Sequence, residues 1–282
     1  MKQPINPCLW FDGNAKAAAS FYCNVFNNSK ITIDTPTVVI FTIENQKFMG
    51  LNGGPKFKIN PSVSLFYFSD SKEEINRVWN ALSENGIVMM ALDKYPWSEW
   101  YGFIQDQFGV SWQIYFGKEG SVSQPISPCF MFTGAVCGRA EEAVHFYTNI
   151  FKNSSINGFN RYGANEGDVE GYIKHAQFNI ENYTMMALDS SAPHKFEFNE
   201  AFSLMIECET QEEIDFYWNA LVEGGKVSRC GWLKDKFGIS WQVIPSMMGK
   251  LMSDPVKAPK VMQAVMQMSK LDIALMLAAY ES

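Results

Sequence analysis

The sequence predicts an α+β protein made of two tandem copies of one domain, each copy running twice through a strand, a helix and further strands. Three observations carry this prediction. Segments of the first half return in the second in the same order; apolar residues switch between the helical and the strand period inside each copy; and the chain is apolar enough to fill two cores. With 282 residues and 47% hydrophobic content, two domains of ordinary size can each bury their own interior.

The repeat fixes the organisation. "INPCLWFDGNAKAAASFYCNVFNNSKI" at 5–31 matches "ISPCFMFTGAVCGRAEEAVHFYTNIFKNSSI" at 126–156, and "FTIENQKFMGLN" at 41–52 matches "FNIENYTMMALD" at 178–189. "WNALSENG" at 79–86 matches "WNALVEGG" at 218–225, and "DQFGVSWQI" at 106–114 matches "DKFGISWQV" at 235–243. The offset drifts from 121 residues to 139 and back to 129, so the copies differ in their loops. "GKEGSVSQP", rich in Gly and Ser and closed by Pro, reads as the joint. The expected organisation is a first domain over 1–117, a linker over 118–125, a second domain over 126–246 and a C-terminal helical extension over 247–282.

Within the first copy, "CLWF" is a short apolar strand, followed by a Gly turn and an alanine-rich helix. Phe21, Tyr22, Val25 and Phe26 share one face of that helix. Strands follow at about 37–43 and 47–52, with an "EN" turn between them. "SVSLFYF" alternates like a half-buried strand, and a helix follows over 71–85, with Ser71 as N-cap and Glu74 at the capping-box spacing. "YGFIQDQFGVSWQIYF" reads as a hairpin turning at "DQFG". Beyond the second copy, "SDPVKAPK" breaks the chain, and Val261, Val265, Met268 and Leu275 mark the apolar face of a C-terminal helix over 261–280. Antiparallel strands with helices on one face make an α+β fold.

Composition excludes several functions. A net charge of −7 argues against a nucleic-acid partner, which calls for a basic patch. The six cysteines, Cys8, Cys23, Cys129, Cys137, Cys208 and Cys230, form no closely spaced pair and read as free thiols rather than zinc ligands or disulfides. The N-terminal segment has no signal-peptide core, and no apolar run reaches about 18 residues. A cytoplasmic protein without membrane contact is expected.

A strand–helix–three-strand module used twice per domain, closed by a D-x-x-G hairpin, resembles the vicinal oxygen chelate superfamily of glyoxalases, extradiol dioxygenases and bleomycin-resistance proteins. "PCLWFDGNAKAAASFYCNVF", "YPWSEWYGFIQDQFGVSWQI" and "CGWLKDKFGISWQV" are similar to the PhnB-like branch, sometimes labelled as a 3-demethylubiquinone-9 3-methyltransferase domain. The resemblance covers nearly the whole chain in two units. It implies tandem glyoxalase-like domains, each of two βαβββ modules in a curved, barrel-like sheet with outer helices. The methyltransferase label finds no support in the residues: no G-x-G-x-G loop follows a strand, and no acidic ribose-binding position follows it.

Metal-dependent members of that superfamily take one ligand from the first strand of a module and a glutamate from the last. By that resemblance the glutamate positions fall on Gln113 and Gln242, and the first-strand positions fall near Pro7 and Pro128. Proline offers no ligating side chain, and a neutral amide binds a hard dication poorly. Ser62 and Ser64, and Phe202 and Ser203, complete no ligand set. The expectation is therefore no cofactor, with a divalent metal as the alternative.

Three histidines are present, all in the second half. His145 reads as a partly exposed helix residue and His194 as an exposed loop residue. His175, in "YIKHAQFNI", shares a strand face with Gln177, where Val38 stands in the first copy. Beside Asp189 and Gln242 it could orient or deprotonate a substrate, or hold a metal in an incomplete site with Gln242; the plainer reading is a hydrogen-bonded histidine on a sheet face. Cys230 would act as a nucleophile only with a lowered pKa, to which Arg229 could contribute. Tyr95, Trp97, Trp100 and Tyr101 crowd one loop at 95–102 and make either an aromatic wall for a ligand or a packed lid. Trp79, Trp112, Trp218 and Trp241 recur at matched positions and read as packing.

The leading expectation is a binding protein for a small organic molecule, with Gln113, Trp97, Tyr101, Gln242 and Trp232 as ligand contacts and no metal. The alternatives are a metal-dependent isomerase, lyase or dioxygenase using His175, Asp189 and Gln242, and a structural protein without chemistry. In the last, the two copies pair as an intramolecular pseudo-dimer, or the chain forms a homodimer.

Overall fold

The computed structural model describes residues 5–117 and 124–282; most of the expected linker, 118–123, lies outside the described residues. Four modules of one plan follow each other. The first holds β1 (Ile5–Phe11), α1 (Ala15–Val25), β2 (Lys30–Asp34), β3 (Val38–Ile43) and β4 (Gln46–Asn52). The second holds β5 (Val63–Ser69), α2 (Lys72–Ser83), β6 (Ile87–Tyr95), β7 (Ser98–Gln105) and β8 (Ser111–Phe116). The third holds β9 (Ile126–Phe132), α3 (Ala140–Ile150), β10 (Ser155–Arg161), β11 (Ile173–Ile180) and β12 (Tyr183–Asp189). The fourth holds β13 (Phe202–Cys208), α4 (Gln211–Val222), β14 (Lys226–Val227), β15 (Trp232–Lys234) and β16 (Ser240–Pro245). In each, the first strand pairs parallel with the last, and the two between continue the ladder antiparallel. The helix is the crossover that a parallel pair requires.

The chain forms two compact units, Cys8–Phe202 and, in the other, the residues up to Pro7 with Ser203–Ser282. The larger unit contains a complete mixed sheet in the order β10-β11-β12-β9-β5-β8-β7-β6. Its centre is the antiparallel pair β5–β9, with Ser64 opposite Cys129. That pair joins the second module of the first copy to the first module of the second, so the sheet is shared by the two sequence copies.

Repeated residues hold matched modules of the two copies by the same devices. Asp106, only 4% exposed, accepts from the Phe108 and Val110 backbone N–H groups at 2.8 and 3.0 Å through Oδ1. Its Oδ2 accepts from Tyr22 OH and Trp112 Nε1 at 2.8 and 2.9 Å. Asp235 repeats this on Phe237, Ile239 and Trp241 Nε1. Gly109 and Gly238, at φ of +87° and +89°, supply the left-handed residue that the turn needs. The returning "DQFGVSWQI" is thus a hairpin staple that pins a tryptophan into the core. The "EN" turn has both residues at positive φ in each copy, Glu44 and Asn45, then Glu181 and Asn182, the pattern of a two-residue type I′ hairpin.

Ser71 caps α2 as its spacing predicts, accepting from Glu74 N, but the Glu74 carboxylate turns to Arg77 and does not close the box. Three elements differ from the sequence expectation. β2, exposed along most of its length, carries too little apolar alternation to be read as a strand. The 95–102 stretch, expected as a loop, belongs to a long β6–β7 hairpin. The single C-terminal helix is a helical hairpin: after α5 (Met248–Leu251), α6 (Ala258–Gln267) and α7 (Ile273–Glu281) are separated where Asp272 caps α7. Leu251, Val261, Val265, Leu271 and Met276 form its core. No helix among the described residues is long and apolar enough to cross a membrane.

Candidate functional site

One face of the larger unit's sheet is covered by helices. Trp112 packs on Tyr22 of α1 and on Phe26 at its C-cap, Tyr67 on Phe26, and Phe178 stacks on Tyr147 of α3. Strand alternation therefore turns Ser64, Phe66, Ser111, Gln113, Ser127, Cys129, Met186, Gln177 and His175 to the opposite face. Chemistry concentrates there.

Gln113 is its best-held group. Its Nε2 donates to Ser64 Oγ at 2.8 Å, and its Oε1 accepts from Tyr101 OH at 2.8 Å. Cys129, opposite Ser64 on the neighbouring strand, is fully buried; burial pushes its thiol up to about 12 against weaker lowering by Gln113 and Ser64. The Tyr101 hydroxyl is raised too, chiefly by burial. Every member of this cluster is uncharged at neutral pH. The Ser111 and Ser127 hydroxyls are buried on the same face, and no hydrogen-bond partner for either exists among the described residues.

The β6–β7 hairpin brings the predicted aromatics to this cluster. Tyr95 and Trp97 stack at 5.0 Å, and each meets the Tyr101 ring edge-on, at 5.8 and 6.3 Å. Trp97 is 56% exposed, so it presents a ring face at the margin of the site. Trp100 turns away to hydrogen-bond Asn76 on α2.

At the other flank of the sheet, His175 and Gln177 line an open cleft of about 480 Å³ with Asn157, Gly158, Phe159 and Asn160. Burial lowers the His175 pKa, which favours the neutral imidazole. The grouping of His175 with Asp189 does not occur, because Asp189 stands on the helix-covered face. Its Oδ1 accepts from the Gly138 and Ala140 N–H groups and its Oδ2 from Ile173 N. Asn52, its counterpart in the first copy, caps α1 through Ala15 N in the same way. Asp189 starts a helix and has no free oxygen for chemistry; the signal was the matched position of Asn52.

In the smaller unit, Gln242 donates to Ser203 Oγ at 3.0 Å and faces Trp232 across the β15–β16 ladder. Burial raises the Cys230 pKa and outweighs the lowering by Arg229, the opposite of the lowered pKa that a nucleophilic thiol calls for. His145 lies half-exposed on α3 near Glu141. His194, expected as an exposed loop residue, contacts Ser190 Oγ through Nε2 at 2.8 Å and stacks on Phe196. Among the described residues no three His, Cys, Asp or Glu side chains gather so as to hold a metal ion.

Comparison with known proteins adds the following. The model of the family described as 3-demethylubiquinone-9 3-methyltransferase matches residues 3–115 and again 124–244. A PhnB protein from Bacillus cereus, described as a 3-demethylubiquinone-9 3-methyltransferase, is 31% identical over 41% of this chain and 100% of its own, with a TM-score of 0.39. Glyoxalase I from Zea mays is 12% identical over 89% of this chain and 95% of its own, with a TM-score of 0.59. A structure described as a dioxygenase from Bacillus subtilis is 11% identical over 84% of this chain and 83% of its own, with a TM-score of 0.50. The last two share the fold. None of the curated proteins compared matches the chain.

Proposed function

Because this chain belongs to the 3-demethylubiquinone-9 3-methyltransferase family, the PhnB-like branch of the glyoxalase fold, we propose that it binds a small, largely aromatic organic molecule without a metal. The site is the helix-free face around Gln113. The observation that carries this reading is the Gln113–Ser64–Tyr101–Cys129 cluster: Gln113 stands where the resemblance puts a metal-binding glutamate, and its amide is held by Ser64 and Tyr101 beside a fully buried thiol. A hard divalent cation calls for carboxylate oxygens or imidazoles. Here both heads of the Gln113 amide are already engaged and the thiol stays protonated, so the donor set does not fit a metal.

The exposed Trp97 face and the Tyr95 and Tyr101 rings supply apolar surface with defined geometry, while the partnerless Ser111 and Ser127 hydroxyls offer polar contacts below it. The methyltransferase description carries no support from the site, which shows no glycine-rich cofactor loop. A thermal-shift screen of uncharged aromatic compounds tests the reading. At least one compound should raise the melting temperature of the wild type and lose its effect in Gln113→Leu and Trp97→Ala. Binding that survives both substitutions, or none at all, would sink it.

A second reading concerns assembly and rests on the β5–β9 pairing. It joins modules of different copies within one sheet, as expected of a chain that builds inside itself what single-domain relatives build by dimerising.

A further inference from the structure

The two copies carry different residues on the helix-free face of their second and third strands. In the second copy Gly158 pairs with Gln177 and Asn160 with His175 across β10 and β11. In the first copy Ile33 pairs with Ile40 across β2 and β3, and Val38 stands where the second has His175. Both ladders shift register just before this point, after Ile31 and after Ile156, so Ile33 corresponds to Gly158 and Ile40 to Gln177. The module therefore forms with aliphatic side chains on this face. The polar set of the second copy is not something the sheet requires.

Gly158 gives the cleft its room. Its φ lies outside the left-handed region, so the backbone does not demand glycine, and a Cβ at this position would meet nothing within 4 Å. Around that space His175, Gln177 and Asn160 make no side-chain hydrogen bond among the described residues, whereas Asn157 accepts from Asn179 Nδ2 at 3.0 Å. Each of the three offers both a donor and an acceptor, the imidazole because burial favours its neutral form. No residue of the lining carries a fixed charge. The neighbouring cations are engaged, Arg161 with Glu141 at 2.6 Å and Lys174 with Glu166 at 3.4 Å. Phe159, the aromatic residue of the lining, turns its ring to His145 and Arg161, at 5.7 and 5.5 Å. A flat heterocycle therefore finds no free ring to stack on.

We propose that the β10–β11 cleft is a second binding site, and that it takes an uncharged polyol or sugar whose hydroxyls replace water on His175, Gln177 and Asn160. A hydroxyl both donates and accepts, which matches side chains that do the same. An apolar ligand would strip water from these groups and leave them unmet, at a cost of about 1–3 kcal/mol each. A charged ligand finds no free counter-charge in the lining. The cleft stands four strand pairings away from Gln113 along the sheet, and the proposal does not rest on the reading of that site.

The test is an NMR titration of the full chain, labelled at nitrogen, with glucose, galactose, ribose and sorbitol. At least one of them should shift the Gln177 and Asn160 side-chain amides and the His175 imidazole signals with saturation. Gly158→Ile and Gln177→Ile install residues that the first copy already carries at the matched positions, so the sheet should be retained, which the backbone amide signals check. Gly158→Ile fills the cleft without removing a polar group and should abolish the shifts; Gln177→Ile should weaken binding about tenfold. Gluconate, a polyol that bears a carboxylate, should bind more weakly than sorbitol. No saturable shift with any of these sugars and polyols, binding unchanged in Gly158→Ile, or gluconate bound more tightly than sorbitol would each overturn the proposal, and the first and last need only the wild type. Shifts at the Gln113 amide report on the other site, so the two readings fail separately.

Discussion

Replacing Asp106 by alanine tests the claim that the repeated motif is a structural staple. The carboxylate serves four donors: the Phe108 and Val110 N–H groups, Tyr22 OH and Trp112 Nε1. The Tyr22 and Trp112 side chains are fully buried, so in Asp106→Ala their donors are orphaned where water cannot reach. A buried donor left without an acceptor costs about 1–3 kcal/mol, so the two together cost about 2–6 kcal/mol before the loss of the turn is counted. Against a domain stability of about 5–15 kcal/mol, this is a large fraction. Asp106→Asn should fall between, because its oxygen can still serve the turn while its amide NH2 faces the indole N–H, which cannot accept. Urea unfolding followed by tryptophan fluorescence reads the effect directly, since Trp112 is one of the side chains released. A loss below about 1 kcal/mol for Asp106→Ala, with native fluorescence retained, would refute the reasoning. It would leave the motif open to a role in ligand chemistry.

Two further outcomes follow from the same geometry. Burial lowers the His175 pKa below its ordinary 6.5, so the folded state disfavours the imidazolium. Stability should be unaffected above the unfolded pKa and should fall as pH drops through it towards the folded value; His175→Gln should flatten that part of the pH–stability curve, and an unchanged curve would refute the burial argument. The Gln211 amide clamps the C-terminal hairpin by donating to Leu271 O and accepting from Ile273 N. Gln211→Ala should therefore speed limited proteolysis between α5 and α7, with the sheet of the larger unit unaltered, and equal cleavage rates would show the clamp to be dispensable.

Much of the fold was legible because the chain writes its module four times. The strand before each helix, the "EN" turn, the Ser71 cap and the D-x-x-G hairpin all rest on local chemistry, and each stands where the sequence placed it. The sharing of one sheet by both copies was not legible, since it depends on the long-range β5–β9 pairing, for which neither strand carries a local signal. β2 was implied only by the resemblance, because an exposed strand carries no apolar alternation, and α6–α7 were merged because their connection lacks Gly or Pro. The site divided along the same line. Gln113 and Tyr101 lie on consecutive strands, with Trp97 in the turn that opens the first of them, so their proximity could be read. His175 shares its sheet with Gln113, a relation set by four intervening strand pairings. Asp189 misled because a buried carboxylate near a histidine in sequence looks chemical until its three backbone donors are seen. The sequence shows Arg229 beside Cys230 but not the burial that outweighs its charge.

The central claim is that neutral groups at Gln113 bind a ligand without a metal, and elemental analysis tests it most directly. Tag-free protein, purified without chelator and then incubated with zinc, nickel, manganese or iron and desalted, should retain no stoichiometric metal, and His175→Ala and Gln113→Leu should not differ from it. About one transition metal per chain, lost in either variant, would contradict the account and return the site to the metal chemistry of its fold.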